Sequence, residues 1–175
     1  VTCPSGTALS VLAHDSVMNG LMGMETLSGI PGTVGGAVAM NAGAYGGEIR
    51  HIIQSVRILQ SGRVLDVDAK KTDFGNRTSR FCAPGAIVLA ATFRLSKDDG
   101  TARSRMLETT RERKQKQPLS LPSAGSVFKR PKGRFAGALV ESCGLKGCSV
   151  GGAQVSPLHA GFIVNNGGAT ERDVL

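Results

Sequence analysis

Gly29-Ile-Pro-Gly-Thr-Val-Gly-Gly-Ala-Val-Ala-Met-Asn-Ala-Gly-Ala-Tyr-Gly-Gly47 is the stretch on which the reading of this chain turns. Seven of its nineteen residues are glycine, most of the others are small, and the first charge after it is Glu48. A segment of this kind fills no core by bulk; it lets main chain come very close to something else, because glycine has no Cβ. Two readings stay open from composition. Successive peptide N–H groups beside a helix start make a concave anion site suited to a pyrophosphate, and Pro31 suits a first helical turn. Glycine-rich runs also serve turns and close helix packing, and a glycine motif without structural context is a weak signal.

Working outward, Thr7 to His14 places Ala8, Leu9, Leu12 and Ala13 near helical spacing, which predicts a helix ending at His14. Downstream, Ser55-Val-Arg-Ile-Leu-Gln60 alternates polar and apolar, Ser61-Gly62 supplies a turn, and Arg63-Val-Leu-Asp-Val-Asp68 resumes the alternation. That is a β-hairpin pattern. Ala86 to Leu95 predicts a longer, more buried strand. From Arg103 to Lys116 six Lys or Arg stand against Glu108 and Glu112, an excess of four positive charges, and Pro118 ends what reads as an exposed helix. Composition shifts between Gln117 and Ser123, which sets a domain boundary at 117/118. Beyond it, Gly133 to Gly147 predicts a short amphipathic helix with Phe135, Leu139 and Val140 inward and Gly144 as its stop. Cys148 to Ser156 and Gly161 to Asn166 predict short strands, and Thr170 with Asp173 three residues on predicts a capped helix start.

Composition limits the function classes. The chain has 175 residues, 41% hydrophobic and 19% charged, with no apolar run approaching the ~20 residues that cross a bilayer. The formal charge is +8, yet one tyrosine, six phenylalanines and no tryptophan leave little for base stacking, so nucleic acid is not expected as partner. Phosphate-rich small ligands account for the same charge. Cys3, Cys82, Cys143 and Cys148 are too scattered for a metal set and read as free thiols of a reducing cytosol. His14 reads as a surface or helix-end residue and His159 as a structural one. Val1 in place of an initiator methionine, and a last helix that stops after about one turn, are the expectation of a fragment.

Three blocks in order carry a resemblance. Gly23 to Glu48 resembles the flavin-binding signature of UDP-N-acetylenolpyruvoylglucosamine reductases, the MurB family. Asn76-Arg-Thr-Ser-Arg-Phe81 resembles that family's Tyr-Arg-x-Ser-x-Phe element, with asparagine in place of tyrosine. Ser123-Ala-Gly-Ser-Val-Phe-Lys-Arg-Pro131 resembles its Gly-Ser-x-Phe-Lys-(Asn/Arg)-Pro element, and further likeness runs through Gly-Leu-Lys-Gly147, Gly-Gly-Ala-Gln-Val-Ser156 and His159-Ala-Gly-Phe-Ile-Val-Asn165. A single glycine motif matches by chance often; several uncommon blocks at consistent spacing do not.

The resemblance implies an α+β chain. Residues 1–117 would be the second subdomain of a PCMH-type (VAO-like) FAD-binding domain lacking its N-terminal subdomain, and 118–175 part of the substrate-binding C-terminal domain. It implies FAD as cofactor, NADPH as hydride donor and UDP-N-acetylglucosamine enolpyruvate as substrate, reduced to UDP-N-acetylmuramate for peptidoglycan in the cytoplasm, with no metal. FAD-contacting positions carry over onto Ile30, Pro31, Gly32, Thr33, Gly35, Gly36, Ala37, Asn41, Ala42, Gly43 and Gly46. Arg77 takes the role of the arginine that binds the substrate carboxylate and Ser126 that of the proton-donating serine. Lys116 and Arg130 carry over as substrate-binding residues. The family's C-terminal glutamate has no counterpart here, and the chain alone is expected to be inactive. Two other readings are another PCMH-type FAD oxidoreductase and a basic nonenzymatic binding module.

Overall fold

The computed structural model describes residues 1–175. Contacts divide the chain into two compact units, Val1–Arg111 and Glu112–Leu175. Both units mix helix and sheet, an α+β architecture. No helix is long and apolar enough to cross a membrane.

In the first unit β1 (Thr2–Pro4) leads into α1 (Leu9–Met18), followed by the two-residue strand β2 (Leu21–Met22) and the helix α2 (Val34–Ala39). The tight hairpin β3 (Gly43–Ala44) and β4 (Gly47–Glu48) comes next, then β5 (Ile53–Gln60) and β6 (Arg63–Asp68). A second tight hairpin, β7 (Phe74–Gly75) and β8 (Thr78–Ser79), precedes β9 (Ala86–Phe93), β10 (Ser96–Lys97) and α3 (Ala102–Lys116). Four strands form one antiparallel sheet in the order β1-β9-β5-β6.

The β5–β6 hairpin follows from its sequence. Ser61 and Gly62 both take positive φ, 50° and 73°, the geometry that a two-residue turn needs to match strand twist. Alternation then sends Val56 and Ile58 into the core and Arg57 outward. At the exposed edge β6 carries Arg63, Asp66 and Asp68, charges that oppose pairing with another chain. Leu9, Leu27, Val34, Val38, Ile49, Val56 and Phe93 meet in one apolar cluster. Burying a side chain of this kind contributes about 1.5–3 kcal/mol.

Two expectations change here. The helix predicted to stop at His14 runs on to Met18, because Ser16 and Val17 continue its buried face; His14 is an exposed mid-helix residue. β9 is fully buried only at Ala91 and Phe93, with Ile87 exposed, since one of its faces is left uncovered along the first half.

In the second unit β11 (Ser123–Ser126), α4 (Ala136–Ser142), β12 (Ser149–Val150), β13 (Ala153–Val155), β14 (Phe162–Asn165) and α5 (Glu171–Val174) follow in order. Their antiparallel sheet runs β11-β14-β13-β12, with Ala153, Phe162 and Val164 buried. The expected amphipathic helix is only seven residues long, and Phe135 stands outside it, 61% exposed. Apolar spacing predicted an inward Phe135; its ring faces a cleft instead.

The last helix is held by a reciprocal cap. The Thr170 hydroxyl accepts from the Asp173 amide at 3.3 Å and an Asp173 carboxylate oxygen accepts from the Thr170 amide at 2.8 Å. The same oxygen lies 3.4 Å from the Gly152 amide, which ties α5 to the β12–β13 turn. Hydrogen bonds from the Thr170 amide and then the Thr170 hydroxyl, with the Gly152 amide adding a smaller part, hold the Asp173 carboxyl below its ordinary value. A carboxyl whose folded pKa lies below the unfolded one stabilises the fold fully above the unfolded value, about 3.9, and loses that contribution as pH falls through the folded value. An NMR titration is therefore expected to show Asp173 protonating below a free carboxyl, with the Thr170 and Gly152 amide signals moving in step. An Asp173 that titrates like a free side chain, or amide signals indifferent to it, would count against the cap.

Candidate functional site

The glycine-rich stretch splits into parts with different uses. Thr33 takes extended backbone and caps α2, its hydroxyl 3.3 Å from the Gly36 amide. Pro31 lies before this cap, so the helix starts without it. The amides of Val34 and Gly35 donate to the carbonyls of Thr7 and Ser5, both at 2.9 Å, and the Ala37 amide donates to the Thr33 carbonyl at 2.9 Å. The Val34 and Gly35 amides are therefore turned to holding α2 against the loop after β1, and the Ala37 amide to closing the first turn of the helix itself. A Cβ on Gly35 would stand 2.8 Å from Ser5 Cβ, closer than packed carbons come, so close packing is what glycine provides here. Around Gly32 and Gly46 the opposite holds: both have positive φ and open space where a Cβ would point. Ile30 and Ala42 are half-buried and pack against the core of the first unit.

Arg77 stands on the turn between β7 and β8, where Gly75 pairs with Thr78 and Asn76 and Arg77 make the two-residue connection. Its φ of +54° is a left-handed conformation that side chains other than glycine and asparagine seldom adopt. Strain of that kind persists where the surroundings impose it. They do so here: Arg77 Nη2 donates to the Gly43 carbonyl at 2.8 Å and Nη1 to the Asn41 carbonyl at 3.4 Å. The half-buried guanidinium thus meets two main-chain carbonyls of the glycine-rich stretch and forms no ion pair with an Asp or Glu. Two of its five N–H groups are spent, and the rest of the planar fork suits a carboxylate.

In the second unit Ser126 ends β11 opposite Phe162. Between the pairs Ser123/Val164 and Ser126/Phe162 the first strand takes three steps and the second two, a bulge of one residue with Gly125 at φ 89°. A bulge re-aims the next side chain relative to regular alternation. Ser126, Phe128, Arg130, Phe135, Glu141 and His159 contribute to an open cleft of about 330 Å³. Arg130 places its guanidinium carbon 3.8 Å from the centre of the Phe135 ring, a cation–π contact that holds a cation beside the cleft.

His159 reaches this cleft although its sequence context marked it as structural. Its Nδ1 accepts from the Gly161 amide at 3.0 Å, and the ring packs edge-on to Phe162 at 4.9 Å. A Cβ on Gly161 would lie 2.9 Å from the His159 ring and 3.2 Å from Ser126 Oγ, so the histidine and the serine flank one glycine. The fold alone brings them together, since thirty-three positions of chain separate 126 from 159. Lys116, at the end of α3, is exposed and pairs with Glu112 at 2.7 Å, one helical turn back.

Residues 117–175 match the UDP-N-acetylenolpyruvoylglucosamine reductase C-terminal domain, and residues 1–68 match an FAD binding domain. UDP-N-acetylenolpyruvoylglucosamine reductase of Clostridium novyi (strain NT) is 48% identical over 177 aligned residues that take in 100% of this chain. The chain belongs to the UDP-N-acetylenolpyruvoylglucosamine reductase family. A further family member, from Clostridium tetani, is 47% identical over the same extent. The crystal structure of the Thermus caldophilus family member is 39% identical, with a TM-score of 0.90 over 99% of this chain and 65% of its own. The chain spans 58% of the length of the curated family members it matches.

Proposed function

We propose that this protein reduces the enolpyruvyl ether of UDP-N-acetylglucosamine to UDP-N-acetylmuramate, with FAD as hydride carrier and NADPH as hydride donor, in the cytoplasm. The observation that carries the reading is Arg77: a half-buried guanidinium, held by the Asn41 and Gly43 carbonyls, with no carboxylate of its own. A positive charge fixed and left unneutralised suits a substrate carboxylate and the negative charge that grows on it during reduction.

The open backbone at Gly32 and Gly46, beside small residues, fits a flat dinucleotide lying against main chain. Ile30, Pro31, Gly32, Thr33, Ala42, Gly43 and Gly46 would line FAD, while Gly35, Gly36 and Ala37 shape the helix beneath. When bound, FAD supplies hydride transfer from NADPH to C3 of the enol ether. Arg77 then faces the charge that builds at C2 and its carboxylate. Ser126 gives its hydroxyl proton to C2, a carbon basic enough to take it from a weak acid held in place. Arg130 and Lys116 are cations for the diphosphate of the substrate, Arg130 kept beside the cleft by Phe135 and Lys116 exchanging its Glu112 partner for phosphate.

An anaerobic absorbance experiment on the full-length protein with FAD tests the reading. NADPH is expected to bleach the flavin, and UDP-N-acetylglucosamine enolpyruvate to restore the colour with formation of UDP-N-acetylmuramate. A reduced flavin that stays bleached in the presence of the enol ether would refute this substrate.

A further inference from the structure

Asn41 is the one polar residue of the glycine-rich stretch that is sealed from solvent, at 1% exposure, and its amide is fully occupied by protein. Nδ2 donates to Glu48 Oε2 at 2.9 Å and to the Gly75 carbonyl at 2.9 Å, and Oδ1 accepts from the Arg50 amide at 3.1 Å. Both amide hydrogens are spent, so the side chain has no donor left for a ligand. Glu48 is itself fixed by Arg50 at 2.7 Å. The backbone at Asn41 has φ +44°, a conformation that asparagine and glycine accept more readily than other residues.

These bonds converge on Arg77 from two sides. Through Nδ2, Asn41 grips Gly75, which stands two residues before Arg77 at the start of its turn. Through its carbonyl, and with the Gly43 carbonyl two residues on, it meets the guanidinium itself. The side chain therefore sets where the arginine turn sits against the β3–β4 hairpin, and the main chain beside it sets how the guanidinium lies. We propose that Asn41 is a positioning residue for Arg77 and contacts no cofactor through its side chain. This rests on the reading of Arg77 as the group that receives the substrate carboxylate.

Removing these bonds frees the arginine turn to shift, and misplacement of a charge-stabilising group by about 1 Å costs up to about 100-fold in rate. The test is a double-variant cycle in the full-length protein, with the two half-reactions followed separately by stopped-flow absorbance. Asn41→Gly keeps a residue at ease with the left-handed backbone and removes the side chain with all of its bonds, leaving a small cavity in its place. It is expected to load FAD and be reduced by NADPH at the unmodified rate, while re-oxidation by the enol ether slows about 10- to 100-fold. Combined with Arg77→Ala, it should add no more than about a further 2-fold, because both changes remove one function. Additive losses in the double variant, or equal slowing of both half-reactions by Asn41→Gly, overturn the positioning role while leaving Arg77 in place. An Arg77→Ala variant with an intact second half-reaction removes the reading of Arg77 and the proposal with it. Should Asn41→Gly not fold, Asn41→Asp has the same shape, keeps the acceptor for Arg50 and sets a carboxyl against Glu48 Oε2 and the Gly75 carbonyl, where at most one proton replaces two donors, and the same pattern is expected of it. Loss of flavin binding by a folded Asn41→Asp would make Asn41 a cofactor residue and overturn the proposal.

Discussion

Alanine at Ser126 is expected to leave NADPH-dependent bleaching of the flavin at its normal rate and to slow re-oxidation by the enol ether about 100- to 10,000-fold, the range of a lost general acid. The split follows from what the hydroxyl does in the proposed reaction. It touches no hydride; it supplies the proton that completes the second half-reaction at C2. The serine is exposed at the rim of an open cleft, so its removal creates no cavity, and the thermal midpoint of the variant should match the parent. Stopped-flow traces of the two half-reactions check the split. If both slow together, Ser126 is a residue of the binding surface. An unchanged second half-reaction would hand the proton to another group, and His159, flanking the same glycine, would be the first to examine.

The second large effect is expected at Arg77. Loss of one preorganised donor aimed at developing charge costs about 100- to 1,000-fold in turnover, so Arg77→Ala should lower kcat in that range. Arg77→Lys keeps the charge but not the planar fork, which now serves the Asn41 and Gly43 carbonyls and a ligand at once. It should fall between the two. The variants also carry a left-handed backbone, φ +54°, that alanine and lysine relieve no better than arginine, so differences between them report the side chain. Steady-state rates over a substrate series check the claim. A rise in KM with unchanged kcat in Arg77→Ala would make the guanidinium a plain binding group.

How much of this was legible in the chain depends on the range of the contacts involved. The β5–β6 hairpin was readable because alternation and the Ser61-Gly62 turn lie within sixteen residues, and strand pairing across a tight turn is local. The Thr170–Asp173 cap was readable for the same reason. The end of α1 was missed because His14 looks like a polar stop, whereas Ser16 is buried on a hydrogen bond of 2.8 Å to the Leu12 carbonyl. The placement of Phe135 was missed because apolar spacing assigns a face and cannot say whether a core or a cleft lies opposite it.

For the site, the motifs named Arg77 and Ser126 but not their settings. Nothing in residues 76–81 announces that the arginine leans on carbonyls 34 and 36 positions earlier. Within the glycine-rich stretch the glycines differ by residue: Gly35 packs against Ser5, the helix-start amides of Val34 and Gly35 are spent on the carbonyls of Thr7 and Ser5, and Gly32 and Gly46 leave backbone open.

The family, the alternation of the β5–β6 hairpin, the basic helix and its proline stop, and the residue types available for chemistry are all readable from the chain alone. Those properties are encoded in short windows of sequence. Tertiary structure alone decided that Asn41 is sealed and spent on Glu48, Arg50 and Gly75, that Arg77 is left without a carboxylate, and that a one-residue bulge at Gly125 sets Ser126 beside Gly161 and His159. The reason is physical: each of these depends on which hydrogen-bonding groups remain unpaired after distant strands have met, and that account closes only when the chain is folded.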